Sequence, residues 1–115
     1  MLYNPQWKEV IPETKPMEPW QEHLLRAADR IQKRGWCQHQ ATDFWGRSCI
    51  IGALDKTKTS DREYGLSICA ISAFLYKETG DYVCIPDWND DDRRTKKEVV
   101  NMLRQAAKMG VYSAV

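Results

Sequence analysis

Apolar residues recur every three or four positions between residues 19 and 34, which is the spacing of one face of an amphipathic helix. Proline suits the first helical position, here Pro19, and Gly35 suits the residue after the last turn. Lys33 and Arg34 stand near the negative end of the helix dipole. The pattern therefore predicts a helix over 19–34. Its expected apolar face is Trp20, Leu24, Ala27, Ala28 and Ile31, its polar face is Gln21, Glu22, Arg26, Asp29, Arg30 and Lys33, and His23 borders the core.

Two further helices are indicated by the S/T-x-x-E pattern of a capping box, whose first and fourth residues each satisfy a backbone donor of the other. Ser60 and Glu63 open a helix that is expected to be largely buried and to end at Gly80. Thr95 opens a second helix that is expected to end at Gly110. The predicted core residues are Tyr64, Ile68, Cys69, Ala70, Ile71, Phe74 and Leu75 in the first, and Val99, Met102, Leu103 and Ala106 in the second.

Residues 46–54 give a weaker helical signal, typical of a short helix or a buried turn. Small side chains at Cys49, Gly52 and Ala53 would let another backbone segment approach closely, at some cost in helix propensity at the glycine. Residues 36–45 and 86–94 show no helical period, so both are predicted to be loops, and residues 81–85 a brief extended segment.

The first 18 residues differ from the rest because Pro5, Pro12 and Pro16 interrupt any helix or central strand there. We expect an extended N-terminal arm over 1–18 that packs on a helical domain over 19–115. The length of 115 residues fits one domain, and no stretch alternates like a strand. The sequence therefore predicts an all-α fold of about four helices.

The charge balance narrows the classes of partner. Seventeen basic residues nearly cancel sixteen acidic ones, which argues against a nucleic-acid or membrane-surface protein. The densest basic cluster, residues 93–97, directly follows the acidic residues 90–92, so self-neutralisation is expected. No apolar run is long enough to span a bilayer and no secretory leader is evident, which favours the cytoplasm and free thiols for the four cysteines.

Two predicted loops carry the aromatic and polar residues that helix packing does not explain. Tryptophans in such loops either anchor the loop to the core or form the wall of a groove, and nearby guanidinium groups would suit an anion. We therefore expect a binding or regulatory module for a protein or a small anionic, nucleotide-like ligand, with no cofactor and no catalysis. Its candidate ligand-binding residues are Trp36, Trp45, Arg47, Trp88, Asn89, Asp90 and Arg94, and variants of Asn89 are expected to fold but to bind poorly.

Two alternative chemistries remain open at these loops. A thiol-dependent hydrolase would use Cys49 as nucleophile, His39 as base and Asp43 to orient it. A calcium loop would use the first, third, fifth and twelfth positions of a twelve-residue segment, although Asp92 replaces the glycine that the sixth position requires. The calcium ligands would be Asp87, Asn89, Asp91 and Glu98, the last of which also belongs to the second capping box.

Three blocks occur in a recognisable order: LLRAADRIQKRGW at 24–36, DFWGRSCIIGAL at 43–54, and WND at 88–90 followed by RT at 94–95. In these blocks the chain resembles a family of short proteins of unknown function from bacteria, notably actinobacteria, and their phages. The resemblance covers about residues 20–107. It implies a small, mostly helical, cytoplasmic and often phage-encoded protein, and it implies no mechanism.

Overall fold

The computed structural model describes residues 17–113, with side chains described through residue 108. Within that range the chain forms five helices, α1 Pro19–Arg34, α2 Ile50–Thr57, α3 Asp61–Thr79, α4 Ile85–Asn89 and α5 Lys96–Ser113. No strand occurs there, only isolated bridges of Ser48 with Trp36 and Thr42. The predicted all-α fold is confirmed. The predicted arm lies outside the described residues except at its last two positions.

Helix α1 is the centre of the fold, because it contacts α2, α3 and α5. Its bounds are those predicted, and Leu24, Ala27, Ala28 and Ile31 are fully buried. Gln21, predicted to face solvent, is instead buried. Its amide donates to the carbonyl of Ala107 on α5 at 2.8 Å, and its oxygen accepts from the N–H of Glu18 at 2.7 Å. The periodicity of polar residues placed Gln21 on the solvent side of α1, and it could not reveal that this buried amide joins α1 to α5.

His23 lies fully inside the core rather than at its border. Its Nε2 contacts the carbonyl oxygen of Leu54 at 2.9 Å, so this nitrogen must be the donor, and its Nδ1 lies 2.8 Å from Ser67 Oγ. The imidazole thus links α1 to both α2 and α3.

Helix α2 begins later than predicted, because Cys49 is its N-cap and accepts from the N–H of Gly52 through Sγ at 3.4 Å. The expected close approach at Gly52 is confirmed. A Cβ there would lie 2.0 Å from the carbonyl oxygen of Ala41, whose loop crosses the helix at this point. The N–H of Cys49 also donates to that oxygen at 3.0 Å.

Helix α3 has the predicted caps at Ser60 and Gly80, but it is only half buried. Its fully covered side faces the other helices, whereas Ile68, Ala70 and Phe74 are partly exposed and the thiol of Cys69 is exposed. The prediction of a largely buried helix containing Cys69 was wrong, because the neighbouring helices cover one side only. The buried residues are Glu63, Ser67, Ile71 and Leu75.

The Glu63 carboxylate does not return to Ser60 as a capping box requires. It accepts from the N–H of Thr59 at 3.0 Å and from Thr59 Oγ1 at 2.9 Å, and it pairs with Arg26 on α1 at 2.6 Å. Burial alone would raise the pKa of Glu63, but the hydrogen bonds from Thr59 and the charges of Arg26 and His23 outweigh it, so the pKa lies below its ordinary value.

Replacing Glu63 with glutamine should lower the unfolding free energy at pH 7 by about 2 kcal/mol, the scale of a hydrogen bond to a charged group. Since the pKa of the folded form is depressed, the carboxylate stabilises the fold above the unfolded pKa of about 4.3 and stops doing so as the pH falls through the folded pKa. Urea titrations should therefore show the gap between wild type and E63Q shrinking below that pH. Glu78→Gln, at an exposed position of α3, serves as control; a gap independent of pH would contradict this role.

The chain between α3 and α5 differs most from its prediction. Residues 85–89, expected as the end of an extended segment followed by a loop, form the short helix α4, whose first turn tolerates Pro86. The capping box of α5 is confirmed, since Glu98 Oε1 accepts from the N–H of Thr95 and Thr95 Oγ1 accepts from the N–H of Glu98. Helix α5 does not end at Gly110 but continues to Ser113, because one interior glycine costs only about 1 kcal/mol.

The predicted apolar face of α5 is confirmed as core. Its buried residues are Val99, Val100, Met102, Leu103, Ala106 and Ala107. None of the helices in the described part of the chain combines the length and apolar character needed to cross a membrane.

Candidate functional site

The loop over residues 36–47, here called the aromatic loop, meets α4 and the turn after it through the side chain of Asn89. This side chain is 1% exposed. Its Oδ1 accepts from Trp36 Nε1 at 2.8 Å and from the N–H of Ile50 at 3.3 Å. Its Nδ2 donates to the carbonyl of Cys37 at 3.2 Å and to Asp90 Oδ1 at 2.9 Å. Asn89 therefore clamps the start of the aromatic loop and the first residue of α2 to α4.

A second set of hydrogen bonds, on the solvent side of Asn89, also joins the aromatic loop to the turn after α4. Asp90 Oδ1 accepts from the N–H of His39 at 2.9 Å, and the amide of Gln38 donates to the carbonyls of Asn89 and Asp91. The hydrogen bond from His39 and that from Asn89 lower the pKa of Asp90. His39 has a φ of 72°, which few residues without a glycine's freedom adopt, so these contacts hold a strained backbone.

Next to Asn89, the guanidinium group of Arg94 stacks on the indole ring of Trp88. The guanidinium carbon lies 3.6 Å from the centroid of the indole ring, and Arg94 Nε donates to the carbonyl of Trp88 at 2.8 Å. Trp88 packs partly buried against the core. The cation of Arg94 is thus engaged inside the chain rather than presented to an anion.

The tip of the aromatic loop is built around Asp43. Its Oδ1 accepts from the N–H groups of Trp45 at 3.0 Å and Arg47 at 2.8 Å, its Oδ2 pairs with the Arg47 guanidinium, and Gly46 completes the turn with a φ of 84°. Burial alone would raise the pKa of Asp43, but the hydrogen bonds and charge of Arg47 lower it. Asp43 therefore fixes the turn, and it is not the carboxylate beside His39.

This turn projects two aromatic rings into solvent. Phe44 is 91% exposed and Trp45 is 74% exposed, and their rings meet nearly perpendicularly with centroids 5.3 Å apart. Trp45 was among the predicted site residues, whereas Phe44 was missed. The available signal was the pair of adjacent aromatic residues before a glycine in an otherwise polar loop.

A groove of about 260 Å³ lies between the aromatic loop and α4. Cys49 and His39 both line it, whereas the hydrogen bond of Cys49 Sγ is with the N–H of Gly52 rather than with His39. The carboxylate next to His39 is Asp90, whose Oδ2 lies 3.8 Å from Nδ1, rather than the predicted Asp43. The remaining lining residues are Gln40, Ala41, Ile51, Pro86 and Asn89.

The four residues of the suggested calcium loop serve other purposes in the structure. Asp87 lies within α4, and Asn89 Oδ1 accepts from Trp36 and Ile50. Asp91 Oδ1 accepts from the N–H of Arg93 at 2.9 Å, and Glu98 caps α5. In the described part of the chain, no three histidine, cysteine or acidic residues are grouped so that they could hold a metal ion.

A family model with the description "Family of unknown function (DUF6197)" matches residues 15–109. The chain belongs to this family. The resemblance seen in the sequence is thereby confirmed at the level of an uncharacterised family. No curated protein and no solved structure matches the chain. Membership in DUF6197 assigns no activity, so function has to be argued from the site itself.

Proposed function

We propose that the protein is a binding module that recognises a partner protein through Phe44 and Trp45. The observation that carries this proposal is the exposure of both rings on a turn whose backbone is fixed by Asp43. Aromatic side chains dominate the binding energy of protein interfaces. A loop that is already ordered pays little entropy when it binds. The clamp of Asn89 and the turn of Asp43 provide that order.

The geometry favours a protein over the small anionic ligand also expected from the sequence. The guanidinium groups of Arg47 and Arg94 are paired with Asp43 and Trp88, and the exposed rings form a projection rather than a pocket. Small ligands are usually enclosed in concave sites, whereas a projecting aromatic pair suits insertion into a cleft of another protein. The resemblance seen in the sequence is to short proteins of bacteria and their phages, so the class of partner that we propose is a bacterial protein.

Replacing both Phe44 and Trp45 with alanine should abolish partner capture while leaving stability within about 0.5 kcal/mol, because neither ring is buried. Tagged wild type and variant would be compared by affinity capture from host lysate, with bound proteins identified by mass spectrometry. The matched control is Tyr82→Ala, which removes another aromatic ring that is 90% exposed, away from the loop. Capture of the same proteins by the double variant would contradict the proposal.

We place the module in the cytoplasm. Cys37, Cys49, Cys69 and Cys84 are all free thiols, a pattern typical of a reducing compartment. Burial, followed by the nearby charge of Asp43, raises the pKa of Cys37 and so favours its neutral thiol.

The thiol-dependent hydrolase stays a second candidate, supported only by the groove that Cys49 and His39 share. The N-cap position of Cys49 orients its sulfur toward the N–H of Gly52. If the thiol is a nucleophile, iodoacetamide should alkylate Cys49 faster than the exposed Cys84, and His39→Ala should remove that difference. Slower alkylation of Cys49 than of Cys84 would eliminate this candidate.

A further inference from the structure

A second groove, of about 400 Å³, lies between the last turn of α1 and the first half of α5. Its lining combines three cationic side chains with two carboxamides and one buried valine, and no described carboxylate belongs to it. The α5 residues come from successive turns of one helix face, so their side chains share the groove. The lining residues are Gln32 from α1 and Lys96, Lys97, Val100, Asn101 and Arg104 from α5.

The acidic residues just before α5 do not neutralise this groove. The sequence predicts that residues 90–92 neutralise the basic cluster 93–97. In the structure, Asp90 bonds instead to the aromatic loop, and Asp91 Oδ1 accepts from the backbone N–H of Arg93. The described part of the chain contains no ion pair between the two clusters, so the expected self-neutralisation is not found.

Lys96 and Lys97 therefore keep their charge available for a ligand. No described carboxylate lies within 4.0 Å of either ammonium group. Arg104 has a partner in Asp29, but the two side chains are about half exposed and their charged atoms lie 3.5 Å apart. Such a surface ion pair contributes little to stability, so an anion can replace Asp29 at low cost.

We propose that this groove, here called the cationic groove, binds a small molecule through a diphosphate group. Its volume falls within the roughly 300–1,000 Å³ of small-molecule sites. Lysine and arginine are the side chains that pair with phosphate oxygens, and the carboxamides of Gln32 and Asn101 can donate to the same oxygens. The Cα atoms of Lys96 and Arg104 are roughly 12 Å apart along α5. Two linked phosphate groups therefore reach more of these cations than one phosphate does.

The groove favours a small molecule over a nucleic-acid strand. Proteins that bind single strands combine a long positive channel with aromatic side chains on which bases stack. No aromatic residue lines the cationic groove among the described residues. The chain also has a net charge of only +1, and Asp29 stands at one end of the groove. These features limit the positive surface to the length of a small ligand.

Isothermal titration calorimetry of the full chain with inorganic pyrophosphate, at low salt and without divalent cations, tests the proposal. Saturable binding of one molecule per chain is expected. Inorganic phosphate should bind about tenfold more weakly, because it engages fewer of the cations. Added sodium chloride should weaken both, since the groove is open to solvent. Absence of saturable pyrophosphate binding up to millimolar concentration would overturn the proposal.

Two substitutions separate the groove from the charge of the whole chain. Lys97→Gln should weaken pyrophosphate binding about tenfold, whereas Lys77→Gln, at an exposed position of α3, should leave it unchanged. Asn101→Ala should weaken it roughly threefold without any change in charge. All three positions are exposed, so the variants should fold as wild type does. Equal effects of the two lysine substitutions, or an unchanged affinity on Asn101→Ala, would mean that charge alone attracts the anion and would overturn the proposal.

Competing ligands identify the source of the diphosphate. Tighter binding of adenosine diphosphate than of pyrophosphate would support a nucleoside diphosphate, and equal binding would support recognition of the diphosphate alone. Tighter binding of a short single-stranded oligothymidine would overturn the choice of a small molecule. The cationic groove shares no residue with the aromatic loop. The variant with alanine at both Phe44 and Trp45 should therefore bind pyrophosphate as wild type does, and a loss of binding there would overturn the proposed location.

Discussion

Replacing Asn89 with alanine should lower the unfolding free energy by about 3 kcal/mol, because several buried groups lose their partner at once. The N–H groups of Trp36 and Ile50 and the carbonyl of Cys37 all bond to this one side chain. From the sequence, Asn89 variants are expected to fold and to lose only binding. The contacts of Asn89 in the structure lead us to expect a loss of both stability and binding. Urea unfolding followed by far-ultraviolet circular dichroism measures the change.

The matched control for this prediction is Asn101→Ala, at an exposed position on α5, where we expect a change within about 0.5 kcal/mol. Hydrogen exchange should locate the effect: amides of the aromatic loop should lose protection in the Asn89 variant before those of α1. A variant as stable as the control would show that the aromatic loop does not depend on the clamp.

Gly52→Ala should be destabilising by about 2–3 kcal/mol, although alanine is the better helix former. The new methyl group would lie 2.0 Å from the carbonyl oxygen of Ala41, so the aromatic loop would have to move away from α2. Gly65→Ala is the matched control in α3, where no atom lies within 4 Å of the added Cβ. There the substitution should stabilise the protein by about 0.5–1 kcal/mol.

Thermal or urea unfolding of both glycine variants, measured at low protein concentration, gives the change in unfolding free energy for each substitution. Equal effects of the two substitutions would contradict the close approach of the loop. A stable Gly52 variant that binds its partner poorly would show instead that the loop moves without cost, and would separate loop position from fold stability.

The sequence predicts those parts of the fold that local chemistry determines. The bounds of α1 follow from Pro19 and Gly35, and those of α3 from Ser60 and Gly80, because caps and helical period act within a few residues. Burial depends on which helices pack together. Gln21 is therefore buried against α5 and Cys69 is exposed, and neither outcome is encoded within its own helix.

For the candidate site too, the sequence predicts some features and not others. We expected one site from both segments because each carries aromatic and polar residues that helix packing does not explain, and the structure brings the two segments together. The individual hydrogen-bond partners could not be predicted: Asp43 bonds to Arg47, and the carboxylate beside His39 is Asp90 rather than the expected Asp43. The exposure of Phe44 depends on a turn that only the structure shows.

The most direct test of a partner-binding aromatic loop is site-specific photocrosslinking. A photoreactive phenylalanine analogue placed at position 45 should form one discrete protein adduct in host lysate, and Phe44→Ala should reduce its yield at least tenfold. The same analogue at position 82 should form no such adduct. Absence of an adduct from position 45, or an identical adduct from both positions, would contradict the proposal that Phe44 and Trp45 bind the partner.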